Sequence, residues 1–169
     1  MADNNSVTLE QRRQWLGADD RQLDGVCRLK AFKASGRGGQ KRNKTSSAVR
    51  LIHLPTGISV TDCSGRSQHH NRHNALQKLR LKLAFELRCQ PLHKPDNLNV
   101  SLKNPAYPLL LASLLDILQH HNFDLKASAE FLNISTAKLI KIVARDGTLW
   151  QYINQQRQRH NLPPLKYNH

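Results

Sequence analysis

Between residues 26 and 88 the spacing of apolar side chains changes rhythm, and few architectures accommodate the change. Val26, Arg28, Lys30 and Phe32 alternate with Cys27, Leu29, Ala31 and Lys33, a partly visible period of two that predicts a strand. Ala48 to Leu54 predicts a second strand and Ile58 to Asp62 a third. Pro55-Thr56-Gly57 lies between them and supplies the turn chemistry of a hairpin. From Asn71 to Arg88 the pattern becomes helical. Leu76, Leu79, Leu83 and Leu87 share a face with Ala75 and Ala84, while Arg72, Lys78 and Lys82 lie elsewhere. Three strands followed by one amphipathic helix predict an α+β unit, a small sheet of three or four strands closed on one face by the helix. Ahead of it, Thr8 to Gly17 predicts a short helix with Thr8 as N-cap and Gly17 just past its end.

Residues 89–105 change character, with Pro91, Pro95, Asn97, Asn99, Asn104 and Pro105 marking a linker. Helical patterns then resume. Leu110, Leu111, Leu114, Leu115 and Leu118 predict a strongly apolar helix, and Asp124 to Leu132 a second. Asn133-Ile134-Ser135 reads as a tight turn, with Ser135 capping a third helix that runs through Arg145 and ends at Gly147. Trp150 to Arg159 predicts a last helix before Pro163-Pro164. The expected organisation is an α+β domain over 1–88, a linker over 89–105 and an all-α module over 106–169.

The charge is uneven. The 169 residues carry a formal +14, with 26 Lys and Arg against 12 Asp and Glu. Residues 28–88 hold fourteen of the basic side chains and only Asp62 and Glu86, a net +12. Such a field attracts polyanions and is costly until a partner neutralises it, so nucleic acid is the expected partner. Residues 71–88 can be drawn as a membrane-surface helix, but their leucines are better used against a sheet. No apolar run approaches the roughly 18 residues of a membrane-spanning helix. The polar start, Met1 to Ser6, has neither a secretory h-region nor transit-peptide character. Three cysteines, Cys27, Cys63 and Cys89, leave one over in any disulfide scheme, which fits reduced thiols in a cytoplasmic protein.

Within the basic stretch, Ser35-Gly36-Arg37-Gly38-Gly39-Gln40 lies between the first two expected strands. Adjacent glycines permit positive φ and let another molecule approach the backbone. Successive N–H groups in such a turn can cradle an anion or a developing oxyanion. Gln40 has no titrating group and is no general base, but its amide can orient a water. Such a loop can promote hydrolysis by positioning alone. A well-placed oxyanion donor is worth roughly 3–4 kcal/mol, and orientation several more. The tripeptide alone does not distinguish this from a loop with two turn glycines.

Its surroundings do. Ser35 to Gln40 is followed by Asn43-Lys44-Thr45, Ser47-Ala48-Val49-Arg50, His53-Leu54-Pro55-Thr56-Gly57-Ile58 and Arg66-Ser67-Gln68, then Asn71 and Ala75. In order and spacing this stretch resembles the catalytic domain of class I peptide chain release factors. The resemblance implies hydrolysis of the ester joining a peptide to tRNA inside the large ribosomal subunit, with water as nucleophile, no cofactor and no covalent intermediate. It places the backbone at Gln40 against the tetrahedral intermediate, has the Gln40 side chain shape the site for water, and lets Gly38 and Gly39 carry the loop into the peptidyl transferase centre. Arg37, Lys41, Arg42, Asn43, Lys44, Arg50, Arg66, Gln68 and Arg72 are the expected contacts to ribosomal RNA. The family usually has a small residue or Pro at the position of Arg37 and an apolar residue at that of Arg42; both departures add charge beside the loop. Gln40 is a candidate for the methylation the family often carries.

Full release factors place a codon-reading domain ahead of this one, and 37 residues precede Gly38. The chain therefore resembles stand-alone relatives that rescue stalled ribosomes without a codon, acting as a monomer. The best-known of these carry a Lys/Arg-rich tail. Here Arg157, Arg159 and Lys166 are the basic residues after position 145. In the helical module, Ala129, Asn133 and Leu139 match the small–turn–apolar spacing of a helix-turn-helix, and Lys138, Lys141 and Arg145 share a face of its second helix. That face either binds RNA in place of the tail or is simply solvated. A second hypothesis follows: a non-enzymatic RNA- or DNA-binding protein reading through these helices.

Other patterns are weaker. Gly38 to Asn43-Lys44-Thr45 resembles a P-loop without its second glycine, and no parallel βαβ series follows. His69, His70 and His73 near Cys63 lack a companion ligand pair and read as surface or RNA-facing histidines rather than a metal site. Cys27 and Cys89 read as packing residues, and Trp150 and Tyr152 as core or cap residues.

Overall fold

The computed structural model describes residues 7–33, 47–90 and 94–166, and the chain divides into two compact units, 1–87 and 88–169. The fold class is α+β. The first unit orders its described elements as α1 (Leu9–Gly17), α2 (Asp20–Gly25), β1 (Cys27–Phe32), β2 (Ala48–His53), β3 (Ser59–Asp62) and α3 (Gln68–Glu86). The strands form one antiparallel sheet in the order β1-β2-β3. Helix α3 packs on one face of it. The core between them holds Val49 and Leu51 of β2 against Ala75, Leu79 and Leu83 of α3, all without solvent exposure. The leucine face expected from the sequence is thus the buried one.

Local chemistry explains most boundaries. Thr8 caps α1 in a reciprocal box with Gln11. The same device recurs in Asp19 and Gln22, which start α2, a helix the hydrophobic pattern does not announce. Gly17 is the last residue of α1 rather than a cap beyond it. Helix α3 begins at Gln68, three residues before the expected Asn71, because the Ser67 hydroxyl accepts the His70 N–H and nucleates the first turn. In the β2–β3 hairpin Gly57 takes φ +71°, which favours glycine. Buried Arg12 of α1 donates from Nη1 to the carbonyl of Leu87 at 3.0 Å, capping the end of α3.

The second unit is all helical among its described residues: α4 (Tyr107–His120), α5 (Leu125–Leu132), α6 (Thr136–Ala144) and α7 (Gly147–Arg159). Helix α4 is buried through Leu110, Leu111, Leu114, Leu115, Ile117 and Leu118. Its lone acid, Asp116, is buried and accepts from Arg88 Nη1 at 3.2 Å and the Cys89 N–H at 3.0 Å. Asn133 turns the chain between α5 and α6 at φ 56°, and Ser135 caps α6. Gly147 does not end α6 but opens α7, because Asp146 accepts the N–H groups of Thr148 and Leu149. Buried Arg157 of α7 donates to the Phe123 carbonyl at 2.6 Å and to the Pro163 carbonyl at 2.9 Å, fixing the turn before α5 and the chain after α7.

Candidate functional site

The catalytic candidates Gly38, Gly39 and Gln40 lie outside the described residues, as do Arg37, Lys41, Arg42, Asn43 and Lys44. The structure describes the frame that carries them. The β1–β2 ladder runs from Cys27↔His53 to Phe32↔Ala48. The intervening segment therefore leaves and rejoins the sheet at neighbouring points on paired strands. Its return is pinned by Asn71, a fully buried polar side chain of α3. The Asn71 amide donates to the Ser47 carbonyl at 2.8 Å and to the Gly65 carbonyl at 2.9 Å, while its oxygen accepts the Gly65 N–H at 2.8 Å. One side chain thus ties the residue before β2 to the turn before α3.

The far end of β2 is closed differently. His53 is fully buried, its Nδ1 2.8 Å from Thr56 Oγ1, and Thr56 also accepts the Ile58 N–H at 3.3 Å. The Trp15 ring of α1 meets the imidazole edge-on at 4.6 Å. Burial holds the His53 pKa down at about 4. A Thr–His contact of this length has the reach of a nucleophile–base pair. Here both groups are sealed and serve the hairpin, so they are a turn clasp.

The remaining expected contacts divide. Arg50 is exposed on β2, facing away from α3, and its partners across the ladders are Lys30 and Thr61. Arg66 is exposed on the turn that Asn71 ties to Ser47 through Gly65, and Gln68 is exposed as the first residue of α3. Arg72 is engaged within the fold: its guanidinium holds Asp24 through Nε at 2.8 Å and through Nη2. The bond to Asp24 raises the Arg72 pKa further. In the second unit Lys138 and Lys141 are exposed on α6, while Arg145 donates to the Val100 carbonyl at 2.9 Å. Arg28 and Lys30 join Arg50 on the exposed sheet face. The sequence singled out neither, although their alternation with Cys27 and Leu29 carried the signal.

Asp20, Asp24 and Asp62 of the first unit are committed to α3. Asp62 accepts Lys78 Nζ at 2.7 Å, the Ser64 N–H at 3.1 Å and the Ser64 hydroxyl at 2.8 Å. Burial alone would raise its pKa, but these partners outweigh it and hold the carboxyl below its ordinary value. Asp20 behaves likewise, with Arg80 at 2.7 Å and His73 at 2.8 Å. His69 and His70 are exposed at the start of α3, and no metal-holding group of three ligands occurs among the described residues. Burial, with Asp24 adding to it, pushes the Cys27 thiol up to about 11, so it is a protonated packing group. No helix is long and apolar enough to cross a membrane among the described residues.

Comparison with known proteins agrees with this frame. Residues 24–101 match the model of the RF-1 domain. Peptide chain release factor 1 of Acidovorax sp. (strain JS42) is 36% identical over 141 residues, covering 82% of this chain and 36% of that protein. Peptide chain release factor 1 of Verminephrobacter eiseniae (strain EF01-2) is 50% identical over 76 residues, 44% of this chain and 21% of that protein. Peptide chain release factor 2 of Acidovorax sp. (strain JS42) is 58% identical over 62 residues, 36% of this chain and 17% of that protein. Residues 24–101 are thus similar to the RF-1 domain, and these relatives are peptide chain release factors 1 and 2. The chain spans about a third of the length of the release factor 1 relative with the longest of these matches.

Proposed function

We propose that this protein hydrolyses the ester of peptidyl-tRNA on the ribosome. The observation that carries the reading is Gly38-Gly39-Gln40 in a segment that joins two paired strands of an RF-1 domain. The paired ends at Phe32 and Ala48 and the Asn71 clasp at Ser47 give that segment a fixed base. From it, backbone N–H groups reach the ester carbonyl, and the developing oxyanion is stabilised by fixed donors. The Gln40 amide orients the attacking water. The bond from the carbonyl carbon to the tRNA 3′-oxygen breaks, that oxygen takes one proton of the attacking water, and the new carboxyl group of the peptide releases the other to solvent. No side chain needs to change its protonation state.

The reading extends to ribosomes stalled without a stop codon. Among the described residues, α1 and α2 lie against α3, held through Arg12 to Leu87 and Asp20 to Arg80. The test uses purified ribosomes holding labelled peptidyl-tRNA, programmed either with a message that ends in the P site or with a stop codon in the A site. The expected result is release from the first at least as fast as from the second. Release confined to the stop-codon complex contradicts codon independence, and release from neither contradicts hydrolysis.

The helix-turn-helix reading keeps one favouring observation: Lys138 and Lys141 are exposed on α6, beyond the Asn133 turn. It requires tight, sequence-selective binding to free nucleic acid, and a competition assay against the large ribosomal subunit separates the two.

A further inference from the structure

The first unit sorts its charges by face. Among its described acids, Asp20 holds Arg80 and His73, Asp24 holds Arg72, Asp62 holds Lys78, and Glu86 lies 3.6 Å from Lys82. Each of these basic partners belongs to α3. Asp19 is spent capping α2, and Glu10 lies in the first turn of α1. Among the described residues, no acid pairs with the sheet face turned away from α3. It carries Arg28, Lys30 and Phe32 on β1, Arg50 and Ile52 on β2, and Ser59 and Thr61 on β3, by the register of the ladders. Arg28, Lys30 and Arg50 are exposed, and none forms an ion pair among the described residues.

Lys30 stands directly opposite Arg50. Directly opposed side chains have Cβ atoms about 5 Å apart, and like charges there oppose the pairing. Along β1, Arg28 and Lys30 are two residues apart on the same face, roughly 7 Å. A sheet keeps such a cluster at a cost to itself, and an anion bound across it removes the cost. Phe32, 37% exposed, ends the row. An aromatic ring beside cations suits a nucleic acid, whose phosphates meet the cations and whose bases stack on the ring.

We propose that this open face, centred on Arg28, Lys30 and Arg50 with Phe32 at its edge, is a docking surface for ribosomal RNA. It rests on the reading of the protein as a ribosomal hydrolase and specifies what holds the domain in place. Charge complementarity and continuity select the occupant: β1 runs from this face into Lys33 and on, in sequence, to Arg37, Lys41, Arg42 and Lys44. The face is laid out as separate points on a pleated surface, which suits a phosphate backbone.

The test measures binding of the full chain to purified large ribosomal subunits across a salt series. The variant is Arg28→Gln/Lys30→Gln/Arg50→Gln, with Arg21→Gln on α2 as control. Each phosphate contact contributes about 0.7 to the slope of log affinity against log salt, so the triple variant loses about two units. That corresponds to roughly 40-fold weaker binding at 0.15 M salt, with convergence toward 1 M. Relief of the Lys30–Arg50 repulsion leaves the melting temperature unchanged or higher, a result that loss of structure does not give. Lys30→Gln alone repeats the pattern at about one third of the slope change. An unchanged slope in both variants overturns the proposal, as does an equal loss in the control. Tighter binding of the parent chain to a DNA duplex than to the subunit overturns RNA as the occupant. Subunit binding through this face without peptide release contradicts the hydrolase reading alone; release with an unaltered slope contradicts the face alone.

Discussion

At the scale of single residues, two buried polar groups of the first unit fix the two ends of β2, Asn71 at Ser47 and His53 at the hairpin. Asn71 spends its whole amide on Ser47 and Gly65, so Asn71→Ala leaves two carbonyls and an N–H without their partner. A loss of roughly 2–4 kcal/mol is expected in urea unfolding, with slower peptide release. Asn71→Asp keeps the acceptor but removes both donors, and falls short of the parent as well. His53 gives a pH signature. Its pKa is about 4 in the folded chain and about 6.5 unfolded, so between these values the unfolded state binds the extra proton. Stability contributed by the neutral ring is complete above pH 6.5 and fades as pH falls toward 4, by roughly 3 kcal/mol in all. A melting series over this window should show the loss, and His53→Phe should flatten it. Residues of this kind are poorly legible in a sequence. Asn71 belongs to the release-factor pattern, yet only the coordinates reveal that it clasps Ser47; His53 gives no sign that it is sealed beneath Trp15.

At the scale of elements, the patterns with a period were readable and the capped ones less so. The leucines of α3 and the alternation of β1 and β2 place the sheet and its covering helix, because burial imposes those periods. Helix α2 has six residues and one buried apolar side chain, Leu23, too few to make a stripe. Its signature is the Asp19…Gln22 box, the same one that Thr8…Gln11 writes for α1. Gly147 shows the opposite error: a glycine after a helix reads as a terminator, but Asp146 makes it a first turn. The α5–α6 turn is testable on these grounds. Asn133 sits at φ 56°, where Asn and Gly are tolerated and β-carbon strain penalises other residues. Asn133→Gly should be nearly neutral in thermal melting, and Asn133→Ala should cost about 1 kcal/mol.

At the scale of the whole molecule, a strongly basic α+β unit and a helical unit occur in one chain, with the RF-1 match falling on residues 24–101. The net charge legible in the sequence becomes informative when sorted by face, since among the described residues the basic side chains of α3 are matched by acids and those of the open sheet face are not. What the proposed chemistry asks of this framework is a steady base for a segment rich in glycine. The most direct measurement is single-turnover peptide release by a Gly39→Val variant on ribosomes stalled without a stop codon, alongside its binding to the same ribosomes. A valine side chain blocks close approach of the backbone at that position while leaving the sheet, α3 and the basic face intact. Hydrolysis by positioning at this loop requires that release fall by at least about 100-fold, the scale of losing one oxyanion donor, while binding stays within about twofold. Release at the parent rate, with the variant bound equally well, contradicts it.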